Sequence, residues 1–265
     1  MDARRRAEGI PQRLHYTDEV RQVAHRDPRA EQTSPKRRAF RNVRYSGGVG
    51  EVGRAAEKRR ASPHPSIVGI DEVGRGCLAG PVVVCAAMVP RGWRPPRRAV
   101  RGRGKLRDSK RLTKVAREEW FGYFETHPHI SYAVSRVSPA VIDRVNVARA
   151  ANVAALRAFK KLATSDNRPV TRIFLDGGLY LGNGRGRLPA ETVIRGDETM
   201  TAIKVASIIA KVTRDRHMAR LAKKYPQYGF EIHKGYGTRV HYAAIRSFGV
   251  STAHRATFLN RSFLF

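Results

Sequence analysis

Four carboxylate residues come from three separate parts of the chain, and each follows a short run of apolar or β-branched residues. They are Asp71, Glu72, Asp176 and Asp197. Short β-branched runs bounded by glycine predict buried strands, and the ligands of open α/β sheets bind outside the strand ends. We therefore expect these four carboxylates to meet at one edge of a sheet.

Carboxylates held close together repel one another and raise each other's pKa. A divalent cation removes that penalty, and hard oxygen ligands favour Mg²⁺ or Mn²⁺ over Zn²⁺. Two such ions, about 3.5–4 Å apart, activate a water and stabilise a leaving oxygen in phosphodiester hydrolysis. The pattern thus predicts a metal-dependent nuclease, whereas each acid taken alone is more readily explained by a helix cap or an ion pair.

The chain of 265 residues carries 52 Lys and Arg against 22 Asp and Glu, a formal net charge of +30. This excess favours a polyanionic partner, most simply nucleic acid; the alternative is a generally basic composition. The two cysteines, Cys77 and Cys85, have neither metal-ligand spacing nor a disulfide framework, which indicates a reducing compartment. Without a membrane-length apolar run or a signal peptide, the sequence predicts a monomeric cytoplasmic protein with no membrane contact.

The composition changes near residue 65. Residues 1–65 are basic and broken by Gly and Pro, which predicts a disordered N-terminal arm; an unselected extension or a misassigned start is equally compatible. Residues 66–265 alternate strand-like and helix-like patterns, which predicts one α/β catalytic domain with a mixed sheet. Strands are predicted at 67–73, 82–89, 130–137, 172–175 and 191–195, and helices at 113–126, 141–163, 202–224 and 239–248.

Motifs in a fixed order resemble those of ribonuclease HII, the type 2 ribonuclease H, over residues 66 to about 258. They are GIDEVGRGCLAGPVVV, RDSKRLT, FLDGGLY, RGDETMTAIKVASIIAKVTRDR, YPQYGFEIHKGYGT and the pair His254-Arg255. The resemblance implies a ribonuclease H-like mixed five-stranded sheet flanked by helices, with a C-terminal helical region. It also implies cleavage of the RNA strand of RNA–DNA hybrids and of single ribonucleotides embedded in duplex DNA, as repair and replication require, leaving 5′-phosphate and 3′-hydroxyl ends.

The same resemblance assigns the four acids as catalytic and metal-binding residues, with Mn²⁺ or Mg²⁺ as the cofactor and Asp71 as the central ligand. Neighbouring residues of a strand point to opposite faces, so Asp71 and Glu72 cannot both reach one metal pair from an ideal strand. Either the strand bends at Val73-Gly74, or Glu72 contributes through its backbone or through a water.

Two further motifs are assigned to the ribose. The loop Gly74-Arg75-Gly76 matches the one whose backbone reads the 2′-hydroxyl, and glycines permit that close approach. Tyr236 matches the tyrosine that packs on the sugar of the next nucleotide. A deoxyribose fits there better than a ribose, which implies a preference for a ribo–deoxyribo junction.

The DSK motif is assigned to phosphate. Ser109 and Lys110 match residues that contact it, and Asp108 is expected to orient their loop rather than to join the metal site. Two positions depart from the family pattern, because Glu198 adds an acid after the RGD motif and Lys204 replaces a small residue. Neither replaces one of the four acids.

Two other functions stay open at this point. A DNA-directed nuclease or resolvase could use the same fold, although the GRG and KGYGT motifs argue against it. A basic nucleic-acid-binding protein without catalysis would not need four acids. The aromatic tail Phe258–Phe265 predicts either a sliding-clamp contact or packing on the domain.

Overall fold

The computed structural model describes residues 65–96, 105–182 and 190–259. The predicted arm, apart from Pro65, and most of the predicted clamp-binding tail therefore lie outside the described residues. Over the described ranges, no helix has both the length and the apolar character needed to span a membrane.

A mixed sheet of five strands forms the centre of the domain. In chain order the strands are β1 (Ser66–Val73), β2 (Val82–Pro90), β3 (Ser131–Val137), β4 (Val170–Asp176) and β5 (Ala190–Val193). Their order across the sheet is β3-β2-β1-β4-β5. The pairs β1–β2 and β2–β3 are antiparallel, and β1–β4 and β4–β5 are parallel. This confirms the predicted sheet.

The helices that the structure describes are α1 (Lys114–Thr126), α2 (Pro139–Val145), α3 (Val147–Ser165), α4 (Gly196–Thr199), α5 (Thr201–Lys224), α6 (Phe230–His233) and α7 (Arg239–Phe248). The start of α1 is confirmed, because the Thr113 hydroxyl accepts the N–H of Ala116 at 3.2 Å, as expected of an N-cap. Between α5 and α7, the chain forms a 3₁₀ turn at Pro226–Tyr228 and the short helix α6.

The single helix predicted over 141–163 is wrong, since the chain breaks at Asn146 between α2 and α3. Asn146 has φ 65°, a backbone conformation that ends one helix and is tolerated by asparagine. Its side-chain oxygen then accepts the N–H of Arg149 at 3.0 Å and caps α3. The apolar spacing continues across the break, which is why the sequence pattern concealed it.

Helices cover both faces of the sheet. On one face, the alanines of α3 pack against Val68 and Ile70 of β1. On the other face, α1 and α5 pack against the odd-numbered side chains of β2. Gly69 allows α5 to touch β1, because a Cβ at Gly69 would lie 2.2 Å from the backbone carbon of Ala202. By strand alternation, Asp71 lies on the α5 face of the sheet.

The C-terminal region forms a separate apolar cluster from the end of α5, α6 and α7. His241 and His254 are buried in this region. The Nδ1 of His254 accepts the N–H of Ser251 at 3.0 Å, and the Nδ1 of His241 lies 2.9 Å from the carbonyl of Tyr236. Their Nε2 atoms are 3.1 Å apart. Since an N–H only donates and a carbonyl only accepts, both rings are neutral and His254 donates to His241.

Burial lowers the pKa of His241 to about 4, and it lowers the pKa of His254 to about 4 as well. The unfolded chain therefore binds protons first, near the usual histidine pKa of about 6.5. We expect the free energy of unfolding to be constant above that pH and to fall by up to about 3 kcal/mol for each of the two histidines between pH 6.5 and 4. Urea denaturation across this range measures the slope.

The matched variants are His254→Gln and His129→Gln, since His129 is exposed. The first should flatten the slope between pH 6.5 and 4, and the second should leave it unchanged. An unaltered slope in His254→Gln would show that other groups carry the acid sensitivity.

Candidate active site

Two of the predicted catalytic acids lie near the ends of neighbouring parallel strands: Asp176 ends β4, and Asp71 lies two residues before the end of β1. The register of β1 and β4 pairs Ile70 with Leu175, so Asp71 and Asp176 follow side by side. Asp71 is only 5% exposed. Burial raises the pKa of Asp71 well above its usual range, and the charges of Glu72 and Asp176 raise it further. The structure therefore brings these three carboxylates within electrostatic reach of one another.

Asp197 reaches the same edge from α4, not from the end of a strand as predicted. β5 ends at Val193, and Arg195 has φ 53° and ends the turn before α4. The Oδ1 of Asp176 accepts the N–H of Gly196 at 2.7 Å and of Asp197 at 3.4 Å. Asp176 thus fixes the position of the fourth acid, and the pKa of Asp176 is raised by burial and by the charge of Asp197.

Glu72 lies on the opposite side of β1 from Asp71. Its Oε1 accepts a hydrogen bond from the Nη1 of Arg75 at 3.0 Å, and its Oε2 is buried with no hydrogen-bond partner. Burial raises the pKa of Glu72, an effect that Arg75 opposes. The strand keeps its alternation through Val73, and the chain turns at Gly74, where φ is 91°.

Two hydroxyls and one ammonium complete the surroundings of the acids. The Nζ of Lys110 lies 3.1 Å from the Oδ2 of Asp197, and its side chain is 80% exposed. The Oγ of Ser109 lies 2.8 Å from the Oγ of Ser207 on α5, and Ser109 is buried. The Ser207 hydroxyl in turn hydrogen-bonds to the Asp71 carboxylate and lowers its pKa against the larger effect of burial.

These contacts differ from the sequence interpretation in two respects. The Ser109 side chain faces the protein interior, so only Lys110 of the predicted phosphate pair is open to solvent. Ser207 was not predicted at all, because it lies within a run of small and apolar residues that indicated helix core. Only the contact between α5 and the sheet reveals it. Asp108 orients the loop as expected, since its Oδ1 accepts the N–H of Lys110 at 2.9 Å.

The donor set fits a hard divalent cation in its chemistry. It consists of carboxylate oxygens, which suit Mg²⁺ and Mn²⁺, and the unpaired Oε2 of Glu72 is a buried acceptor that needs a partner. Within the described ranges, no three His, Cys, Asp or Glu side chains stand in a ready ligating arrangement. Arg75 and Lys110 hold two of the acids by ion pairs, so ligation requires these carboxylates to reorient.

The GRG motif contains two glycines in different surroundings. Gly74 is buried with φ 91°, and a Cβ there would lie 2.2 Å from the Nε of Arg214. Gly76 is exposed, and a Cβ there would meet nothing within 4 Å. Packing within the protein therefore explains why residue 74 is glycine, but it does not explain why residue 76 is glycine.

The KGYGT motif packs directly against the loop that follows β1. The carbonyl of Gly235 accepts the N–H of Leu78 at 2.8 Å and of Ala79 at 3.3 Å. Tyr236 is 42% exposed, and the Nζ of Lys211 lies 6.0 Å from the centre of its ring. The structure thus places the two predicted ribose-reading loops beside each other.

Other charged residues of the α5 motif have structural partners. Asp215 accepts a hydrogen bond from the Nζ of Lys211 at 2.9 Å and lies 3.9 Å from the Nη2 of Arg117. Asp215 is therefore an ion-pair partner within the protein. The Nε2 of His233 lies 2.6 Å from the carbonyl of Tyr228, which agrees with a structural histidine.

A sheet of this order, with acids gathered at the shared edge of β1, β4 and α4, defines a nuclease of the ribonuclease H-like class. Two solved structures share the fold. The Bst ribonuclease HIII, solved in complex with Mn²⁺, has a TM-score of 0.61 at 19% identity, covering 79% of this chain and 71% of that one. The Archaeoglobus fulgidus ribonuclease HII, solved in complex with PCNA, has a TM-score of 0.53 at 26% identity, covering 73% and 95%.

The sequence comparisons narrow the class to a family. The model of the family described as ribonuclease HII matches residues 68–263. A ribonuclease HII from Chlorobium phaeobacteroides is 41% identical over 192 residues, which is 72% of this chain and 89% of that protein. The chain therefore belongs to the ribonuclease HII family and is an endoribonuclease.

The glycine contrast gives a stability prediction. Gly74→Ala should lower the free energy of unfolding by about 2 kcal/mol or more, because it adds backbone strain and a clash with buried Arg214. Gly76→Ala should change it by less than about 1 kcal/mol, since its site is open. Urea denaturation of both variants tests this, and equal losses would contradict the packing explanation.

Proposed function

We propose that this chain is a divalent-metal-dependent endoribonuclease that cuts the RNA strand of RNA–DNA hybrids and single ribonucleotides in duplex DNA, leaving 5′-phosphate and 3′-hydroxyl ends. The observation that carries the proposal is the gathering of Asp71, Glu72, Asp176 and Asp197 at one sheet edge, with one buried oxygen of Glu72 unpaired. The net charge of +30 supports a nucleic-acid substrate.

Asp71, Glu72, Asp176 and Asp197 would hold Mn²⁺ or Mg²⁺, and the Mn²⁺ complex of the Bst ribonuclease HIII supports this choice. When bound, such ions supply an activated water and stabilise the leaving oxygen. The protein contributes position. Asp176 fixes α4 through the N–H groups of Gly196 and Asp197, and Ser207 holds the carboxylate of Asp71.

Exposed Lys110 is suited to bind a substrate phosphate beside the acids. Its Nζ bonds to Asp197 at 3.1 Å. Burial lowers the pKa of Lys110, but the hydrogen bond to Asp197 and the charges of Asp197, Asp108 and Asp71 together raise it overall. The ammonium therefore stays charged and can pass from the carboxylate to a phosphate oxygen. Ser109 supports Lys110 indirectly in this proposal, through its bond to Ser207.

Recognition of the ribose is assigned to the loop of Gly74, Arg75 and Gly76, together with Tyr236. The 2′-hydroxyl is both donor and acceptor, so backbone groups can bind it. Gly76 is exposed and free of protein contacts on its Cβ side, which leaves room for a sugar. Tyr236 offers a partly exposed ring for the sugar of the next nucleotide.

The sliding clamp is proposed as a partner through the C-terminal tail, supported by the PCNA complex of the Archaeoglobus fulgidus ribonuclease HII. The described part of this tail packs on the domain, because Phe258 contacts the apolar clusters. Only residues 260–265 are therefore left for such a contact. A monomer in the cytoplasm remains our expectation from the sequence.

The central test is cleavage of a duplex carrying one ribonucleotide, with Mg²⁺, with Mn²⁺ and with neither. Asp71→Asn should lower kcat at least about 100-fold, because ion-dependent stabilisation of the transition state is worth several kcal/mol. Glu191→Gln is the control, since Glu191 is an exposed carboxylate paired with Arg172. Wild-type rates in Asp71→Asn at saturating Mn²⁺ would remove Asp71 from the site, and cutting of an all-DNA duplex would favour a DNA nuclease.

The ribose assignment has its own test. Gly76→Ala should stay folded and lose about 10-fold or more of kcat/KM on a single embedded ribonucleotide, because the new methyl group obstructs the approach of the sugar. Tyr236→Ala should lose activity mainly on the same substrate and less on long hybrids. Gly122→Ala is the control, because a Cβ there also meets nothing within 4 Å but lies in α1. Full activity in Gly76→Ala would exclude close contact at this residue.

A further inference from the structure

Among the residues that the structure describes, two arginines are fully buried without an acidic partner. Arg214 on α5 and Arg255 after α7 each have 0% of their surface exposed. Neither forms an ion pair with a carboxylate among the residues that the structure describes. A buried cation costs several kcal/mol unless its donors are satisfied, so these side chains need a strong local reason to be there.

Arg255 donates its hydrogen bonds to the carbonyls of the loop after β1. Its Nη2 bonds to Gly74 at 2.7 Å, and its Nη1 bonds to Arg75 at 2.8 Å. Its Nε and Nη2 bond to Gly80 at 3.0 and 2.9 Å. One guanidinium thus holds both ends of the loop that spans residues 74–81, which we call the ribose loop.

Arg214 joins the ribose loop to the KGYGT motif. Its Nε bonds to the carbonyl of Pro81 and its Nη2 to that of Ala79, both at 3.1 Å. Its Nη1 bonds to the carbonyl of Lys234 at 2.9 Å, two residues before Tyr236. The planar fork of arginine matches several carbonyls at once, which the single ammonium of lysine cannot do.

The glycines of these loops allow close packing, and Gly74 makes room for the guanidinium group of Arg214. A Cβ at Gly74 would lie 2.2 Å from the Nε of Arg214, and a Cβ at Gly80 would lie 2.4 Å from the Sδ of Met218. A Cβ at Gly235 would lie 2.5 Å from the carbonyl oxygen of Ala79. All three glycines have positive φ, so loop shape and arginine packing depend on each other.

We propose that Arg214 and Arg255 are positioning residues for ribonucleotide recognition, a buried arginine clamp that fixes the ribose loop and its distance from Tyr236. The inference rests on the proposed reading of the 2′-hydroxyl by this loop. The clamp also connects the ribose loop to the acidic residues. Arg255 bonds to the backbone carbonyl of Arg75, and the Arg75 side chain bonds to Glu72.

The test measures discrimination by binding, not by turnover. In the full-length Asp71→Asn protein, fluorescence anisotropy in Mg²⁺ buffer gives the Kd for an all-DNA duplex and for the same duplex with one ribonucleotide. We expect the parent to favour the ribonucleotide about 10-fold or more, and the added Arg255→Lys to reduce this ratio to below about threefold, since the loop groups that meet the hydroxyl lose their fixed position.

The matched control is Arg168→Lys in the same background. Arg168 is also a buried arginine, but it bonds to Asp166, Ser131 and the carbonyl of His129. The Arg168→Lys substitution should therefore leave the ratio of the two Kd values unchanged. Hydrogen exchange provides a second measurement, because Arg255→Lys should speed exchange of amides in residues 74–80 while amides of β1 and β2 keep their protection.

Arg214→Lys repeats the test from the KGYGT side if Arg255→Lys does not fold. A retained ratio in either folded variant, or an equal loss in Arg168→Lys, would overturn the clamp and leave the proposed function standing. Loss of the fold in both arginine variants would overturn it too, because the arginines would then hold the whole domain. A parent that does not discriminate, together with a wild-type protein that cuts no ribonucleotide, would overturn both proposals.

Discussion

Repulsion among carboxylates at one sheet edge is the constraint on which this structure depends. Burial and mutual charge raise the pKa of Asp71, Glu72 and Asp176, so the edge is costly to build from acids alone. The protein offsets this cost with N–H groups of α4, the hydroxyl of Ser207 and the cationic groups of Arg75 and Lys110. Among the residues that the structure describes, none pairs with the second oxygen of Glu72, so this edge still has a buried acceptor for a positive group.

A second electrostatic arrangement lies beside the first, with the opposite sign. Arg214 and Arg255 are buried cations whose hydrogen bonds, among the described residues, all go to backbone carbonyls, and burial lowers the pKa of Arg255 to about 10. Even so, the guanidinium remains charged at neutral pH. Acids thus gather at one edge of the sheet, and buried arginines hold the loops beside it. The two arrangements meet at Arg75. Its backbone carbonyl accepts a hydrogen bond from Arg255, and its side chain donates one to Glu72.

Local rules predicted most of the fold. Each strand is present with its ends shifted by at most two residues, because β-branched runs bounded by glycine are strong signals. The helix break at Asn146 was missed, since the apolar periodicity runs through it and only the positive φ reveals the turn. The sequence pattern also did not predict that Asp197 lies on α4 rather than after a strand. The carboxylate that accepts the first N–H of α4 belongs to Asp176, about twenty positions earlier in the chain.

The sequence by itself determined the family, predicted a mixed five-stranded sheet through the resemblance, and nominated the four acids as candidates, since these depend on residue types in a fixed order. Only the tertiary structure decided which neighbours act on them. Ser207, Arg214 and Arg255 lie far along the chain from Asp71 and Gly74, and hydrogen bonds of about 3 Å depend on packing between elements that sequence periodicity does not specify. The two glycines of the GRG motif look alike in the sequence, and only their three-dimensional surroundings assign one to protein packing and leave the other facing open space.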